Sequence, residues 1–424
     1  MIKKKISIIG LGYVGLPLAI ALSKINHVVG YDTNKCRIKS LNKNIDEFNE
    51  YSKKELLLKN KKLKFSFNEK DIKDSSTFIV TVPTPVNKKN KPDLSLLKNA
   101  TKAIAKYLTK DSVVVFESTV FPGCTEEICV PILEKISKLK FNKDFFCGYS
   151  PERINVGDKK HKISTVTKII SGSNIKTSNY LYSLYFNSVT KKIYRAPSIK
   201  VAEAAKVIEN TQRDINIALV NEFSLIFDRM NIDTTEVLNA AATKWNFIKF
   251  TPGLVGGHCV GVDPYYLAHQ SQKYFYKPQM ILAGRKINES MAGEVVSGLI
   301  KSMNKKKINI KESKILIMGY AFKENCSDFR NSKVENIYNI LLQKKISVKI
   351  YDPLIKKKFL NTNIRKHFVK TLSNRSVFDA IIFAVPHKEF LEMGIFKIKN
   401  FLKHNGVIYD IKSIFPKHLT DRRL

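Results

Sequence analysis

The sequence lacks closely paired cysteines: its six cysteines include no C-x-x-C motif. This absence excludes the common zinc-binding and thioredoxin-type redox motifs, so we expect no bound metal. Thiols without a disulfide framework are typical of a reducing compartment, and the predicted location is therefore cytoplasmic.

Long apolar runs are also missing, since no segment reaches the roughly 20 residues that a transmembrane helix needs. The basic N-terminus leads directly into a short apolar strand, without the hydrophobic stretch of a secretion signal. We expect no membrane insertion.

Acidic residues are scarce, with 37 Asp and Glu against 73 Lys and Arg, which gives a net charge of +36. Such an excess would suit a nucleic-acid-binding protein, which concentrates Arg and Lys on one element. Here 62 lysines and only 11 arginines are spread along the whole chain, as an A/T-rich coding sequence would produce. We therefore predict no nucleic-acid partner, although the charge would attract anionic ligands.

A dinucleotide fingerprint, Gly-Leu-Gly-Tyr-Val-Gly at residues 10–15, follows the apolar run at residues 6–9. The pattern predicts a strand, a tight turn, a helix over residues 13–24 and a second strand at residues 27–31. Asp32 ends that second strand, where an acid binds the adenosine ribose and disfavours a 2′-phosphate. The predicted cofactor is NAD, with Arg37 as a nearby cation able to accommodate a phosphate.

A cysteine lies in the segment Gly256-Gly257-His258-Cys259, which precedes the pair Asp263-Pro264. Asp and Pro favour the first positions of a helix, and the glycines allow the backbone to approach a ligand closely. A thiol near a helix N-terminus loses its proton more readily. The segment therefore predicts a covalent nucleophile.

Further predicted strands end in polar turns that contain Thr84, Thr119 and Glu152. Parallel sheets bind their ligands at this edge.

A pattern without Gly or Pro predicts one long helix over residues 201–231, able to form a dimer interface. Beyond residue 311, predicted strands at residues 314–318 and 347–351 flank a helix at residues 333–343. This region thus repeats the alternation of strands and helices seen near the N-terminus.

These patterns predict an α/β protein with two Rossmann-like domains joined by a long central helix, and an active cleft between the domains. Its 424 residues exceed what one hydrophobic core supports. The predicted divisions are residues 1–196 for NAD binding, 197–305 for a central helical dimerisation region with the cysteine, and 306–424 for a second Rossmann-like domain.

The chain resembles the nucleotide-sugar 6-dehydrogenases (the UDP-glucose/GDP-mannose dehydrogenase family), specifically the branch that acts on UDP-N-acetylhexosamines. The motifs that carry the resemblance run in order from residue 10 to residue 330. They are Gly-Leu-Gly-Tyr-Val-Gly-Leu-Pro at 10–17, Val-Pro-Thr-Pro at 82–85, Glu-Ser-Thr-Val at 117–120, Ser-Pro-Glu-Arg at 150–153, Lys-Val-Ile-Glu-Asn at 206–210, the cysteine segment, and Gly-Tyr-Ala-Phe-Lys at 319–323 with Asp328 and Arg330.

The resemblance implies a four-electron oxidation of a sugar C6 alcohol to a uronate through a cysteine thiohemiacetal and thioester, which supplies surface polysaccharide synthesis. It implies these catalytic residues: Cys259, Lys206, Asn210, Asp263, Thr119 and Glu152. It implies these NAD-binding residues: Gly10, Gly12, Tyr13, Val14, Gly15, Asp32, Arg37, Thr84, Thr119 and Arg330. It implies these substrate-binding residues: Glu152, Arg153, Lys206, Asn210, Gly256 and Lys323. It also implies that residues 306–424 form the UDP-sugar-binding domain.

Several alternatives stay open from the sequence. UDP-GlcNAc and UDP-GalNAc are equally compatible substrates, and UDP-ManNAc and UDP-glucose are further alternatives. His258 is interpreted as a structural residue or a substrate contact. A catalytically silent NAD-binding regulator and a simple two-electron hydroxyacid dehydrogenase are the alternative classes of function, and the predicted assembly is a homodimer through the central helix.

Overall fold

A computed structural model of the protein describes residues 5–48, 51–57, 61–87, 89–154, 162–372 and 376–424. The chain divides into two compact units. The first comprises Met1–Glu209 and Tyr265–Lys277, and the second comprises Asn210–Pro264 and Pro278–Leu424.

The strands, in chain order, are β1 Lys5–Ile9, β2 His27–Tyr31, β3 Leu63–Ser66, β4 Thr77–Val80, β5 Ser112–Phe116, β6 Phe145–Tyr149, β7 Lys168–Gly172, β8 Ile193–Arg195, β9 Lys314–Met318, β10 Ser347–Tyr351, β11 Phe378–Phe383, β12 Leu402–Asp410 and β13 Arg422–Arg423. The α-helices are α1 Gly15–Ser23, α2 Lys35–Asn42, α3 Lys53–Leu57, α4 Ser95–Ala105, α5 Val130–Ser137, α6 Ile175–Ser188, α7 Ile199–Arg229, α8 Thr234–Ala241, α9 Asp263–Lys273, α10 Gln279–Lys305, α11 Lys333–Gln343, α12 Thr362–Arg365, α13 Lys388–Met393 and α14 Ile395–Lys399.

The described part of the first unit contains a sheet of strand order β3-β2-β1-β4-β5-β6-β7-β8. Neighbouring strands are parallel except β6 and β7, which pair antiparallel. Strands β4 and β5 are buried along their whole length, which explains their continuous apolar character. The strand order reverses direction at β1, between β2 and β4, and such a switch point is where α/β sheets bind ligands.

The second unit contains a parallel sheet of order β10-β9-β11-β12-β13 within the described residues. Apolar residues of α10 and α11 pack on one face of this sheet, and Leu316, Phe383 and Phe390 belong to the core on the other face. The predicted α/β class with two Rossmann-like sheets and a long central helix is confirmed.

Asp352 directly follows β10, the position in this sheet that corresponds to Asp32 directly after β2. Its Oδ2 accepts hydrogen bonds from the backbone of Tyr320 at 2.7 Å and of Ala321 at 3.1 Å. The same oxygen contacts Nε2 of the buried His387 at 3.1 Å. The carboxylate is therefore enclosed by protein groups and presents no surface to a ribose.

Among the described residues, none of the helices is both long enough and apolar enough to cross a bilayer.

Candidate active site

The glycine turn after β1 has the geometry of a phosphate-binding loop. Gly10 has a φ of +98°, a conformation that residues with a side chain rarely adopt. A Cβ on Gly15 would lie 1.9 Å from the carbonyl oxygen of Gly10, so only glycine lets α1 pack this close to the strand. A Cβ on Gly12 would meet nothing within 4 Å, which leaves its backbone accessible to a ligand.

The Asp32 carboxylate forms a hydrogen bond with the backbone of this turn. Its Oδ2 accepts the backbone N–H of Leu11 at 2.8 Å, and its Oδ1 accepts that of Asn34 at 2.8 Å. The carboxylate at the end of β2 and the open backbone at Gly12 fit the ribose and the pyrophosphate of a dinucleotide. Tyr13 and Val14 complete the turn before α1 begins.

Arg37 lies behind the turn and is buried. Its Nε donates to the carbonyl of Leu11 at 3.0 Å, and its Nη1 pairs with Asp46 at 2.7 Å. The side chain therefore supports the glycine turn from the protein interior. We predicted Arg37 as a cofactor contact, and the structure assigns its guanidinium to the loop backbone and to Asp46 instead.

Thr84 and Thr119 follow neighbouring strands and are brought together at the same edge of the sheet. The Thr84 hydroxyl donates to the carbonyl oxygen of Thr119 at 2.6 Å. Tyr266 of α9 donates from its hydroxyl to the Thr84 carbonyl at 2.8 Å.

Glu203 of α7 is a buried carboxylate that sequence reasoning missed. It accepts the backbone N–H groups of Gly123 and Thr125 at 2.5 and 2.9 Å.

Glu152 follows β6 and lies at this edge as well. Its Oε1 accepts the backbone N–H groups of Arg153 and Ile154, both at 2.6 Å. The guanidinium of Arg153 forms an ion pair with Glu209 of α7 at 2.7 Å. The side chains of Glu152 and Arg153 therefore have separate partners and do not form an ion pair with each other.

A buried group of charges, which sequence reasoning also missed, lies under this loop. Lys168 of β7 donates to Glu117 Oε2 at 2.7 Å, and the hydroxyl of Tyr185 donates to Glu117 Oε1 at 2.5 Å. Burial by itself disfavours the ammonium, but the carboxylates of Glu117 and Glu152 outweigh it and raise the pKa of Lys168. In the sequence, only its place directly before Ile169 and Ile170 distinguishes Lys168 in a chain with 62 lysines.

The cysteine segment in the second unit uses its glycines for close packing. Gly257 has a φ of +85°, and its N–H donates to the Asn331 carbonyl at 3.1 Å. A Cβ on Gly256 would lie 2.7 Å from that same carbonyl oxygen. We expected the glycines to admit a ligand, whereas the backbone that approaches them here is that of residues 331–333.

Cys259 is half-buried in a tight turn that leads into α9. Its carbonyl accepts the N–H groups of Val262 at 3.0 Å and of Asp263 at 2.8 Å. The predicted helix start at Asp263-Pro264 is confirmed, since α9 begins at Asp263. Asp263 is buried, and its Oδ2 accepts the side-chain amide of Asn210 at 2.5 Å, which joins the cysteine turn to α7.

Lys206 lies one helical turn before Asn210 on α7 and is only 8% exposed. Lysine is rarely buried to this degree unless it is paired. Within the described residues, no carboxylate lies within ion-pair distance of its ammonium. Burial thus distinguishes Lys206 from the ordinary surface lysine that its sequence context alone would allow.

Arg330 and Lys323 lie in the loop region after β9. Arg330 binds Asp328 with both Nε and Nη2, at 2.9 and 2.5 Å, and His258 Nε2 lies 3.5 Å from Asp328. Burial would raise the pKa of Asp328, but the hydrogen bonds from Arg330 and the proximity of His258 outweigh it and hold that pKa well below its usual range. The Lys323 ammonium lies 5.7 Å from the Phe322 ring centroid.

Comparison with protein families finds three consecutive matches, all to the UDP-glucose/GDP-mannose dehydrogenase family. The NAD binding domain of that family matches residues 4–196, its central domain matches residues 200–290, and its UDP binding domain matches residues 316–417.

Individual proteins match over nearly the whole length. The UDP-N-acetyl-D-glucosamine 6-dehydrogenase of Pseudomonas aeruginosa is 49% identical over 420 residues, which cover 99% of each chain. The enzyme of the same name from Salmonella typhi is 49% identical over 422 residues, covering 99% of this chain and 98% of the relative. The solved structure of a UDP-D-ManNAc dehydrogenase from Pyrococcus horikoshii is 32% identical with a TM-score of 0.87, covering 97% of this chain and 96% of that one.

Proposed function

The chain belongs to the UDP-glucose/GDP-mannose dehydrogenase family, and we propose that it oxidises the C6 hydroxyl of a UDP-N-acetylhexosamine to the uronate with NAD as oxidant. The observation that carries the proposal is the cysteine turn before α9, anchored by the bond between Asp263 and Asn210. The same chain has a glycine turn and ribose-binding acid that fit NAD. A uronate sugar nucleotide would supply surface polysaccharide synthesis.

The need for a cysteine follows from the chemistry of the second oxidation. NAD, when bound, would supply the oxidising power by taking up one hydride in each of the two oxidations. An aldehyde at C6 has no second hydride to give until a nucleophile adds to it, and Cys259 Sγ adds to form a thiohemiacetal. Its oxidation leaves a thioester on Cys259, and attack by water breaks the C–S bond and releases the uronate and the thiol.

The remaining catalytic residues have roles that their chemistry supports. Lys206 and Asn210, one turn apart on α7, would stabilise the oxyanion of the tetrahedral species with an ammonium and an amide N–H. Thr119 and Asp263 would hold the substrate hydroxyl or the water. Glu152 would assist hydrolysis as a base.

Substrate and cofactor contacts are assigned by position. Lys323 follows β9, and we assign it the phosphates of UDP, to which a lysine contributes a point charge. We assign Arg153 and Gly256 to the substrate as well. Thr84 and Arg330 are assigned to NAD, and Arg37 is assigned a supporting role behind the glycine turn.

Counting NADH is the direct test of this function. We expect two NADH for each UDP-N-acetylhexosamine consumed. A two-electron dehydrogenase would form one, and a silent NAD-binding regulator would form none. Among UDP-GlcNAc, UDP-GalNAc, UDP-ManNAc and UDP-glucose, we propose UDP-GlcNAc as the preferred substrate, since the two relatives at 49% identity are named for it. A higher kcat/KM for another of these sugars would replace UDP-GlcNAc in the proposal.

The proposed assembly is a homodimer formed through α7. Four exposed apolar residues, Val201, Ile208, Leu219 and Ile226, follow one another at intervals of seven or eleven positions. Both intervals return to the same face of an α-helix, so they form one apolar stripe. Lys206 and Asn210 lie on the opposite face, which agrees with their burial.

Asp32→Ser should raise the KM for NAD about tenfold or more and reduce the enzyme's preference for NAD over NADP. The variant loses a charged acceptor for the ribose hydroxyls, which contributes about 1.5–3 kcal/mol, and removes the repulsion of a 2′-phosphate. Steady-state kinetics with both cofactors measure the change. Affinity for UDP is the internal control and should stay the same, because Asp32 contacts the glycine turn of the first unit. An unchanged ratio of NAD to NADP use would remove Asp32 from the ribose.

A further inference from the structure

A buried lysine lies directly under the loop that carries Glu152. Lys168 Nζ donates to Glu117 Oε2 at 2.7 Å and to the carbonyl of Pro151 at 3.4 Å. The side chains of Lys168 and Glu117 are 5% and 0% exposed. A buried ion pair is often no more stabilising than apolar side chains of the same volume. Stability alone therefore does not explain why a lysine occupies this position.

The two oxygens of Glu152 have different surroundings. Oε1 is held by the N–H groups of Arg153 and Ile154. Oε2 is buried and, within the described residues, has no hydrogen-bond partner. It lies 3.6 Å from Lys168 Nζ, just outside hydrogen-bonding range. The ammonium thus faces the one oxygen of this carboxylate that remains available for chemistry.

Lys168 is itself fixed in place by Glu117, whose other oxygen accepts the hydroxyl of Tyr185 at 2.5 Å. The four side chains form a chain of contacts in the order Tyr185, Glu117, Lys168 and Glu152. The positive charge that faces Glu152 therefore has little freedom to move away.

We propose that Lys168 is a positioning residue for Glu152, whose carboxylate it holds in orientation for the hydrolysis of the acyl-enzyme. The inference rests on the proposed function, which makes Glu152 the base of that step. Water bonds to the acyl carbon and gives a proton to Oε2 of Glu152. The C–S bond then breaks and Cys259 leaves as the thiolate. Glu152 returns its proton to water, and the thiolate takes up a proton from water.

The test compares three variants with the wild-type enzyme in the presence of NAD and UDP-GlcNAc. The double variant Glu117→Gln/Lys168→Met removes the lysine without leaving its buried carboxylate uncompensated. Lys168→Arg keeps the charge. The control Lys106→Met removes an exposed lysine that pairs with Glu69 at 2.9 Å in the same unit. The measurements are kcat, the KM for the UDP-sugar, and the fraction of Cys259 that carries the acyl group after acid quenching, by intact mass.

We expect the double variant to lower kcat about 10- to 100-fold, the scale of a displaced catalytic group. The KM should not rise, and the acylated fraction of Cys259 should increase, because hydrolysis is the step that is slowed. Lys168→Arg should recover most of the activity, and Lys106→Met should match the wild type. An unchanged kcat, or a lower kcat without added acyl-enzyme, would overturn the proposal.

A double-mutant cycle tests whether Lys168 acts through Glu152. Adding Glu152→Gln to the double variant should cause little further loss, whereas multiplicative losses would contradict a shared role. If the double variant does not fold, Tyr185→Phe replaces it, since it removes only the hydroxyl that holds Glu117. That variant should also accumulate acyl-enzyme, and failure to do so would overturn the proposal. Absence of uronate from the wild-type enzyme would instead reject the proposed function.

Discussion

Replacing Cys259 with Ser is expected to lower uronate formation by roughly 10³-fold or more, the scale seen when a covalent nucleophile is removed. A hydroxyl near neutral pH is a far weaker nucleophile than a thiolate, and an ester is a poorer acyl intermediate than a thioester. Binding should persist, because the glycine turn and Asp32 belong to the first unit and Cys259 belongs to the second.

Chromatographic detection of the uronate, together with calorimetric titration of NAD and UDP, checks this prediction. Cys36→Ser is the matched control, since Cys36 is an exposed cysteine on α2 and should tolerate the same exchange. Uronate production by Cys259→Ser at near the wild-type rate would exclude the covalent mechanism.

Replacing Lys206 with Met is expected to lower kcat about 10²- to 10³-fold, the loss that follows removal of one oxyanion donor. Methionine keeps an unbranched stem of similar length, so packing around α7 should change little. Because a donor to the tetrahedral species acts mainly in the transition state, the KM for the UDP-sugar should change much less than kcat.

The control for this prediction is Lys200→Met. Lys200 lies on the same helix, but its side chain is 52% exposed and pairs with Glu127 at 3.4 Å. Steady-state kinetics of both variants over a range of UDP-sugar concentrations give kcat and the KM for the UDP-sugar separately. A loss confined to KM would make Lys206 a binding residue, and wild-type kcat would remove it from the site.

Much of the fold could be predicted because its signals are local. Strands β2 and β9 have the predicted bounds, since each is a short apolar run rich in β-branched residues and bordered by polar turns. The boundaries of helices were less accurate. Helix α1 begins at Gly15 and not at residue 13, because the preceding residues complete the glycine turn, and α7 covers Ile199–Arg229 where residues 201–231 were predicted.

The position of the nucleotide turn could also be predicted, because a turn with positive φ requires glycine at a fixed place. The acid at Asp32 could be anticipated for a similar reason, since a strand and a helix of standard length separate it from the turn. The sequence likewise determined where α9 begins, because the preference for Asp and Pro at a helix start depends only on the backbone nearby.

Only the tertiary structure decided which charged side chains are buried and what they contact. Lys168 and Glu117 are 51 positions apart, and in the local sequence only the two isoleucines that follow it distinguish this lysine among 62. Arg37 was predicted as a cofactor contact able to accommodate a phosphate, and folding buries it and pairs it with Asp46. Burial removes water from around a charge, so its contacts become strong and specific only once distant segments have packed together. Local patterns can thus locate a turn or a nucleophile, whereas the partners of a buried charge depend on the whole fold.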